Sequence, residues 1–566
     1  MKLITVIPIT KGFFKENLTY FTSHDLELGA LVSVPLRNKM IPALVVEIQS
    51  IEDKKADLKA LTYGLKRAHG LISKQFFIPE FIEAARTAAR FYSAPLGQVI
   101  KSFVPKAILE TKGLDVGLKS TSGGLRHERI ALQAGDEERM AFYKSFIREE
   151  FAKKRSVFFC LPTVADIEIA LPLLEKGIEE YTLLFHGGLT PKQLLDLWKK
   201  VSTETHPVLI VSTPAFLALP RKDLGAIIVE HESSPHYKSS NRPFVDGRYF
   251  ATVLAKALGT RVIFGDLLLR VETLAAHERG GYSTPVPLKF RSLSSAECQT
   301  VNMRDEKAKI TSVPRNGLDI FSIQLTEAIR RSADTGGKVF LYSHRKGLAS
   351  MTVCQDCGTY AACERCRAPL VLHASGEGNF FLCHKCWKER SADVACAHCS
   401  SWRLNPLGIG IERVREEVER LFSSRPLFQI DSDLVTTHKK AIEVAGSFYS
   451  TPGAILLGTE MAVPYIPEKI DTVGIVSLDS LFALTDFRVH EKIFHIGLAL
   501  RQKAQRNFIV QTRTPERRLF DYMTRGNLVD FYRDELVVRE KFKYPPFKLL
   551  IKITRQGKEE DVTRDM

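Results

Sequence analysis

Hydrophobic and polar positions along the chain predict a β-rich amino-terminal region followed by two α/β regions. Residues 1–50 contain short alternating or apolar runs with turns between them, which is typical of β-strands, and residues 75–105 have a helical pattern. From about residue 130, the apolar runs SVFFCLP, PVLIVST, GAIIVEHE and TRVIFGD alternate with helical stretches. The alternation returns in KVFLYSH, LFQID, AILLGTE, TVGIVSL and NFIVQT. This alternation of apolar runs and helical stretches predicts parallel sheets covered by helices.

The composition narrows the class of protein. With 566 residues, the chain is long enough for about four domains. Its 45% hydrophobic and 26% charged residues are typical of globular proteins and exclude a wholly disordered chain, a collagen and a coiled-coil rod. No apolar run approaches the ~18 residues of a transmembrane helix. The net charge of +15 favours a polyanionic partner, with nucleic acid the first expectation.

The amino-terminal sequence MKLITVIPITKGFF shares a lysine and a short apolar run with signal peptides. Pro8 and Lys11 interrupt the run, and no small-residue cleavage site follows. We therefore interpret the segment as a first β-strand and expect a cytoplasmic protein. In that reducing compartment, clustered cysteines more often bind metal than form disulfides.

Eight of the ten cysteines form four Cys-x-x-Cys knuckles. Each knuckle directs two thiolates at one ion, so four knuckles predict two closed, structural zinc sites. Unpaired or redox-active cysteines are the alternative, and the knuckles can combine into sites in three ways. The nearby histidines His373, His384 and His398 are expected to lie outside the ligand sets. The predicted ligands are Cys354, Cys357, Cys363, Cys366, Cys383, Cys386, Cys396 and Cys399.

Further motifs follow one another in an order that identifies a family. They are YSAPLGQVIKSFVP, HRKGLAS before the cysteines, GIGIE (Gly408–Glu412), QIDSD, GTEM (Gly458–Met461), LTDFRVHEKIF and YPPF (Tyr544–Phe547). This order resembles that of the PriA family, superfamily-2 DNA helicases of bacterial replication restart. The resemblance covers nearly the whole chain. It implies a small β domain that captures a DNA 3′ end, two RecA-like lobes and a zinc module in the second lobe.

The phosphate-binding loop of that family, Gly-x-x-Gly-x-Gly-Lys-Thr, is altered here. It corresponds to residues 131–143, where the segment offers Gly135, Asp136, Glu137, Glu138 and Arg139. Carboxylates facing a triphosphate would repel it. An ordinary helix start with acidic first-turn residues fits the segment better.

A second ATP motif of the family, Asp-Glu-Glu-His, is replaced by Glu230, His231, Glu232 and Ser233. Glu230 retains a carboxylate for magnesium, but His231 stands where a carboxylate orients the attacking water. Taken alone, Glu-His-Glu also fits a metal or acid–base cluster. Because the other ATP motifs are altered too, we interpret it as a decayed remnant.

Three more ATP-handling elements differ from the family. The hydroxyls of Gly-Ser-Ala-Thr are lost in the segment 265–268, Gly-Asp-Leu-Leu. In the arginine motif, residues 499–506, Lys503 replaces the first arginine and loses its bidentate fork, whereas Arg506 is retained. The family's Lys-Gly-His is replaced near Pro464. Five altered elements together predict lobes that fold without hydrolysing ATP, so ATP and magnesium are doubtful cofactors.

The resulting fold-class prediction is an α/β multidomain protein with a small N-terminal β domain, two RecA-like lobes with parallel sheets, and an inserted two-zinc module. The winged-helix segment of the family is expected to be absent. The predicted domains are 1–105, a 3′-DNA-end-binding β domain with following helices; 106–128, a linker; 129–300, lobe 1; 301–350 and 404–540, lobe 2; 351–403, the zinc module; and 541–566, a remnant of a carboxy-terminal domain.

The leading functional hypothesis is a PriA-like protein that binds branched or 3′-ended DNA without ATP-driven unwinding. By resemblance, DNA contacts would come from Phe13, Phe14, Tyr20 and Lys39, although core packing is the alternative for the rings. Replication-restart or single-strand-binding proteins are further expected partners. The alternative functions are an active 3′–5′ helicase with an unconventional ATP site and a protein-interaction scaffold.

Overall fold

The computed structural model describes residues 2–12, 15–50, 65–115, 126–304, 320–343, 351–366, 368–375, 378–384, 386–392, 395–407, 409–484 and 486–551. Two compact units make up the chain. The first comprises Met1–Leu269 and His277–Leu288, and the second comprises Arg270–Ala276 and Lys289–Met566. Among the described residues, no helix is long and apolar enough to cross a membrane.

The first unit begins with a six-stranded sheet in the order β5-β2-β1-β4-β3-β6. Its neighbouring strands are antiparallel except for the parallel pair β2 and β5. The strands are β1 (Lys2–Pro8), β2 (Leu18–Thr22), β3 (Leu31–Leu36), β4 (Lys39–Ser50), β5 (Lys66–Arg67) and β6 (Gly70–Ser73), and the helices that follow are α1 (Pro79–Phe91), α2 (Leu96–Lys101) and α3 (Lys106–Leu109). The predicted β and helical regions are therefore confirmed.

Helix α1 carries buried residues at the spacing of one helical face: Phe81, Ala84, Ala85 and Ala88. The ring of Phe81 packs edge-on against Phe250, with the ring centres 5.5 Å apart. The alanines allow the helix to approach its neighbours closely, so α1 connects the amino-terminal sheet to the core of the same unit.

Gly97 on α2 fits directly against β1. A Cβ atom at this position would lie 1.9 Å from the carbonyl oxygen of Pro8, a backbone atom that cannot rotate away. We predict that Gly97→Ala destabilises the amino-terminal sheet by about 3 kcal/mol, the upper range for overpacking. Faster hydrogen–deuterium exchange in β1 would report it.

The matched control for this substitution is Gly70→Ala, in β6 of the same sheet. Gly70 has open space around its Cβ position and no left-handed backbone angle. Exchange in β1 is expected to stay at the wild-type rate in this variant. Equal exchange rates in both variants would contradict the proposed close fit of Gly97.

A parallel six-stranded sheet forms the rest of the first unit, in the order β7-β12-β11-β8-β10-β9. Its strands are β7 (Glu128–Gln133), β8 (Ser156–Cys160), β9 (Thr182–Phe185), β10 (Leu209–Ser212), β11 (Leu224–Glu230) and β12 (Arg261–Asp266). Its helices are α4 (Asp136–Ala152), α5 (Val164–Leu174), α6 (Pro191–Thr203) and α7 (Gly247–Ala257). The next helix, α8 (Val271–Glu278), begins in the second unit.

The second unit contains another parallel sheet, in the order β13-β23-β22-β14-β21-β20, together with a small cysteine-rich module. Its strands are β13 (Glu297–Asn302), β14 (Val339–Tyr342), β15 (Met351–Cys354), β16 (Val371–Ser375), β17 (Gly378–Leu382), β18 (Glu389–Ser391), β19 (Leu404–Leu407), β20 (Leu427–Ile430), β21 (Ile455–Gly458), β22 (Ile470–Ile475) and β23 (Ala504–Thr512). Its helices are α9 (Ile323–Asp334), α10 (Ile411–Leu421), α11 (His438–Ser450), α12 (Val489–Lys503), α13 (Arg518–Arg525) and α14 (Leu528–Lys541).

The two parallel sheets share one topology. When the six strands of each sheet are numbered in chain order, both sheets have the order 1-6-5-2-4-3. The cysteine-rich module, with strands β15–β19, lies between the second and third of these strands in the second sheet. The α/β fold class with an N-terminal β domain and a module inserted in the second lobe is thereby confirmed.

Two predicted boundaries were wrong. Residues 106–115 of the predicted linker are packed, because α3 forms there, Leu114 is buried and Ser73 donates a hydrogen bond to Asp115. Residues 116–125 lie outside the described residues. The boundary of lobe 1 at residue 300 also fails, because β13 pairs with β23 and residues 289–300 therefore belong to the second unit.

Candidate metal centres, DNA contacts and the altered phosphate site

The four cysteine knuckles combine into two sets of four sulfur atoms. The first and fourth knuckles form one set, and the second and third form the other. Within each set, all sulfur atoms lie within 4.8 Å of one another. The outer set is Cys354, Cys357, Cys396 and Cys399; the inner set is Cys363, Cys366, Cys383 and Cys386.

The spacing of the sulfur atoms fits metal coordination. Four Sγ–Sγ distances between opposing knuckles are 3.4–3.6 Å. A tetrahedral site with Zn–S bonds of about 2.3 Å places sulfur atoms about 3.8 Å apart, whereas a disulfide needs about 2.05 Å. Each set can therefore hold a metal ion. His373 and His384 face each other through their Nε2 atoms, 2.8 Å apart, and belong to neither set.

The residues that we predict to form an altered phosphate site lie at the carboxyl ends of β7, β12 and β11, which are parallel neighbours in the first unit. Helix α4 starts after β7, with Gly135 as its N-cap. Arg139 and Tyr143 are four residues apart and therefore share one face of α4. Both side chains are fully buried, and both contact Glu230 at the end of β11.

Every oxygen of the Glu230 carboxylate is bonded within the protein. Arg139 donates to Oε1 from Nε at 2.9 Å and from Nη2 at 2.7 Å. Tyr143 donates its hydroxyl to Oε2 at 2.6 Å. The side chains of Arg139 and Glu230 are both 0% exposed. Burial, followed by the negative charge of Glu230, raises the pKa of Tyr143 well above its ordinary value, so the phenol remains a donor.

Gly265 at the end of β12 makes room for this arrangement. A Cβ atom there would lie 1.7 Å from the Tyr143 hydroxyl and 2.5 Å from Glu230 Oε2. The next residue, Asp266, is buried and accepts hydrogen bonds from the backbone N–H groups of Ser233 and Leu267. The segment after β12 thus supports the buried pair and the turn after β11.

The start of α4 carries its own carboxylates. Asp136 accepts a hydrogen bond from Arg139 Nη2 at 2.9 Å, and Glu138 accepts one from the backbone N–H of Gly135 at 3.4 Å. Asp136, Glu137 and Glu138 are all exposed. A helix N-terminus favours negative charge, and here the first turn supplies that charge from within the chain. This agrees with the predicted ordinary helix start.

His231 lies beside Glu230 in a left-handed backbone conformation, with φ of 54°. Its Nδ1 is 3.3 Å from Asp166, and its Nε2 is 3.7 Å from Glu230. Burial lowers its pKa, but the hydrogen bond to Asp166 and the charges of Glu230 and Asp166 outweigh burial and raise the pKa from 6.5 to about 10. The imidazole is therefore a cation at neutral pH, without a lone pair to accept a proton.

The two candidate arginine-motif residues lie on different elements of the second unit. Lys503 is the last residue of α12, whereas Arg506 lies on β23 and pairs with Asp471 at 3.3 Å. Arg501, between the motif's ends, is buried and donates to the backbone carbonyl oxygens of Ser292 and Thr524. Arg501 and Arg506 therefore contact other residues of the second unit.

The candidate DNA contacts divide into two groups. Phe13 and Phe14 lie outside the described residues. Tyr20 is 5% exposed, packs in the core of the amino-terminal sheet and donates its hydroxyl to the carbonyl of Pro35 at 3.0 Å. Tyr20 therefore has no free ring face for a base, and its core-packing alternative holds. Lys39 is exposed at the β3–β4 hairpin, next to the exposed turn residue Arg37.

The same amino-terminal region carries a recognisable family signature. Residues 6–105 match the model of the PriA 3′DNA-binding domain. Curated PriA proteins are 22–27% identical to the chain over most of its length. The chain is therefore similar to PriA proteins over most of its length, and its residues 6–105 match one of their domains.

Relatives within the PriA family match the chain to different extents. The replication restart protein PriA of Treponema pallidum is 25% identical over 100% of this chain and 88% of its own length. That of Helicobacter pylori strain 26695 is 26% identical over 97% of this chain and 86% of its own. The match to Bacillus subtilis PriA, 26% identical, covers 73% of this chain, which there spans about half (51%) of the relative's length.

Solved structures that resemble this chain are more distant. RecG bound to a three-way DNA junction aligns with a TM-score of 0.37 and 11% identity over 91% of this chain and 51% of that one. Yeast (S. cerevisiae) Dbp5 bound to RNA and ADP BeF3 aligns with a TM-score of 0.39 and 9% identity over 82% of this chain and 97% of that one.

Motif residues that carried the PriA resemblance come together in the second unit. The ring of Phe487 stacks on Tyr544, with ring centres 5.0 Å apart, and Arg488 lies 4.3 Å from the Phe487 ring centre. Arg539, fully buried on α14, donates to Glu491 at 2.7 Å and lies 5.1 Å from the Phe487 ring centre. The motifs LTDFRVHEKIF and YPPF therefore form one packed cluster. HRKGLAS lies outside the described residues.

Sequence reasoning missed two residues of the altered phosphate site, Tyr143 and Asp166, and it did not predict that Arg139 pairs with Glu230. The signal for the first was present, because Arg139 and Tyr143 have the i, i+4 spacing of one helix face. Nothing local pointed to Asp166 on α5, which reaches His231 from a different element.

Proposed function

We propose that this chain is a DNA-binding replication-restart protein of the PriA type whose helicase lobes do not hydrolyse ATP. The fully buried pair of Arg139 and Glu230 supports the proposed lack of ATP hydrolysis. The family resemblance and the net charge of +15 support the proposed DNA binding in replication restart.

Phosphoryl transfer needs a carboxylate that is free to hold magnesium, whereas the carboxylate of this site is already hydrogen-bonded to other side chains. A phosphate loop offers free backbone N–H groups and a lysine, and a carboxylate on the neighbouring strand holds magnesium. Here both oxygens of Glu230 accept hydrogen bonds from Arg139 and Tyr143. Magnesium would have to displace the buried Arg139 guanidinium from Glu230, and Arg139 would then keep only its contacts at the start of α4, such as that to Asp136. That cost argues against metal–nucleotide binding.

DNA binding in this proposal rests on the amino-terminal sheet. The similar proteins are replication restart proteins, and the matched domain is a 3′DNA-binding domain. The exposed basic hairpin with Arg37 and Lys39 can contact phosphates. We assign DNA with a free 3′ end, as at a fork, to this surface, with Tyr20 contributing only core packing.

Two zinc ions complete the proposal. Four thiolates in each set leave no coordination position for water, so the ions would hold the fold of the module and take no part in chemistry. Among the common metals, thiolate-only tetrahedral sets favour zinc or iron–sulfur centres. Zinc fits because each set has the spacing of a single-ion tetrahedron.

A paired titration tests the proposal. Purified protein is expected to bind a fluorescent fork DNA with an affinity that falls steeply as salt rises, since phosphate contacts release counterions. A fluorescent ATP analogue with magnesium is expected to give no saturable signal over the same protein range. DNA-stimulated phosphate release is expected to equal the rate of a protein-free control.

Three outcomes would overturn parts of this proposal. ATP turnover that is lost in Glu230→Ala would make the chain a working helicase with an unconventional site. Saturable nucleotide binding without turnover would remove the argument from the buried pair. Fork binding that is absent, or that does not respond to salt, would favour a protein-interaction scaffold.

A further inference from the structure

The cysteine-rich module carries two highly exposed tryptophans, and the folding of the module explains neither. Trp387 is 71% exposed and Trp402 is 84% exposed, whereas Trp198, the third tryptophan of the chain, is 2% exposed. Within the described part of the module, these are the large hydrophobic side chains left exposed. Indole is costly to leave in water, so its repeated exposure points to a binding role.

The backbone at Trp387 strengthens this argument. In three knuckles, the residue after the second cysteine donates its N–H to the carbonyl of the first cysteine and has a left-handed φ. These residues are Gly358 at 70°, Trp387 at 58° and Ser400 at 58°. Only glycine adopts this conformation without steric cost. A bulky residue here, held in strain and exposed, is a marker of function rather than of stability.

We infer that Trp387 and Trp402 are stacking platforms for the bases of single-stranded DNA. This inference rests on the proposed DNA-binding function and names a second contact surface for it. Each indole offers a flat face, and base–aromatic stacking does not depend on sequence. A cation follows each ring in the chain: exposed Lys388 after Trp387, and Arg403 after Trp402.

The surroundings favour a nucleic-acid strand over a protein partner. An apolar protein-binding patch would bring aliphatic neighbours to the indoles, and the described module residues expose no other large hydrophobic side chain. Arg403, the residue after Trp402 in the chain, is 51% exposed, and its guanidinium contacts Asp356 at 3.1 Å. Exposed rings that are each followed in the chain by a basic residue match the alternating bases and phosphates of a single strand.

Tryptophan emission gives a direct test with the full chain. Because Trp198 is buried, quenching by a bound ligand reports on Trp387 and Trp402. Adding unlabelled oligothymidylate to the wild-type, zinc-loaded protein is expected to quench emission saturably. In Trp387→Leu and Trp402→Leu variants, the affinity for oligothymidylate is expected to fall on the order of tenfold per ring. Trp387→Phe is expected to recover most of that loss.

The controls separate this inference from the proposed function. Zinc content checks the folding of each variant, and Phe290→Leu alters an exposed ring outside the module, so it is expected to keep wild-type affinity. If fork DNA binds but oligothymidylate neither quenches wild-type emission nor binds more weakly to the leucine variants, the stacking inference fails and the proposed function survives. If neither DNA binds, both fail. An equal loss in Trp387→Phe and Trp387→Leu would also overturn stacking.

Discussion

Removing the first and fourth cysteine knuckles is expected to leave one zinc ion per chain, whereas removing the first and second is expected to leave none. The first variant replaces the outer set, Cys354, Cys357, Cys396 and Cys399, with serine and keeps the inner set intact. The second replaces Cys354, Cys357, Cys363 and Cys366, which takes half the ligands from each set. Both variants lose four thiols, so each is the matched control of the other.

The expected effect is large because metal binding supplies most of the folding free energy of such modules. Structural zinc sites are worth roughly 10–16 kcal/mol at neutral pH, far more than the packing of short strands such as β16–β18. Zinc per chain is measured by elemental mass spectrometry, and module folding by hydrogen–deuterium exchange. One ion in the second variant would mean that adjacent knuckles pair, in contradiction to the structure.

Breaking the buried pair at the altered phosphate site is expected to have the second largest effect. Arg139→Met removes the guanidinium that donates to Glu230 Oε1 and leaves the buried carboxylate to the Tyr143 hydroxyl and to His231 at 3.7 Å, a loss that costs roughly 3–5 kcal/mol. Combining Arg139→Met with Glu230→Gln removes both charges and is expected to restore most of that loss. The exposed Arg148→Met on the same helix is the matched control and is expected to change stability little.

Urea-induced unfolding of the first unit measures this effect. Trp198 is buried there and packs against Phe76, so its fluorescence follows that unit in a background with Trp387 and Trp402 replaced by phenylalanine. Equal midpoints for Arg139→Met and Arg148→Met would show that the guanidinium is not needed to neutralise Glu230. A double variant less stable than Arg139→Met would point to a direct role of Glu230 in packing.

Local patterns in the sequence were sufficient for part of this structure. The cysteine knuckles could be predicted from the sequence because the two ligands of each knuckle are only three residues apart. The strands from SVFFCLP to TRVIFGD were readable because buried parallel strands are continuous apolar runs. In each case the signal lies within a few residues, so no knowledge of distant contacts was needed.

Other features depend on residues far apart in the chain, and the sequence could not provide them. The pairing of knuckles joins Cys354 to Cys399, and the spacing allowed three combinations. Arg139 and Glu230 are 91 residues apart and meet only because parallel strands bring their carboxyl ends together. The mixed-polarity strand β13, ECQTVN, lacks the apolar run of its neighbours, so the lobe boundary was misplaced.

The nested pairing of the knuckles has a consequence for how a lobe can accept an insertion. The outer set binds the beginning and the end of the module, and β15 pairs antiparallel with β19, Cys354 lying opposite Leu404. Entry and exit therefore leave the module side by side, like the two ends of a hairpin. An ancestral gene could gain or lose such a module between two strands without changing the strand order of the host sheet. The entropy cost of closing a loop rises only slowly with its length, so the inserted module adds little to that cost.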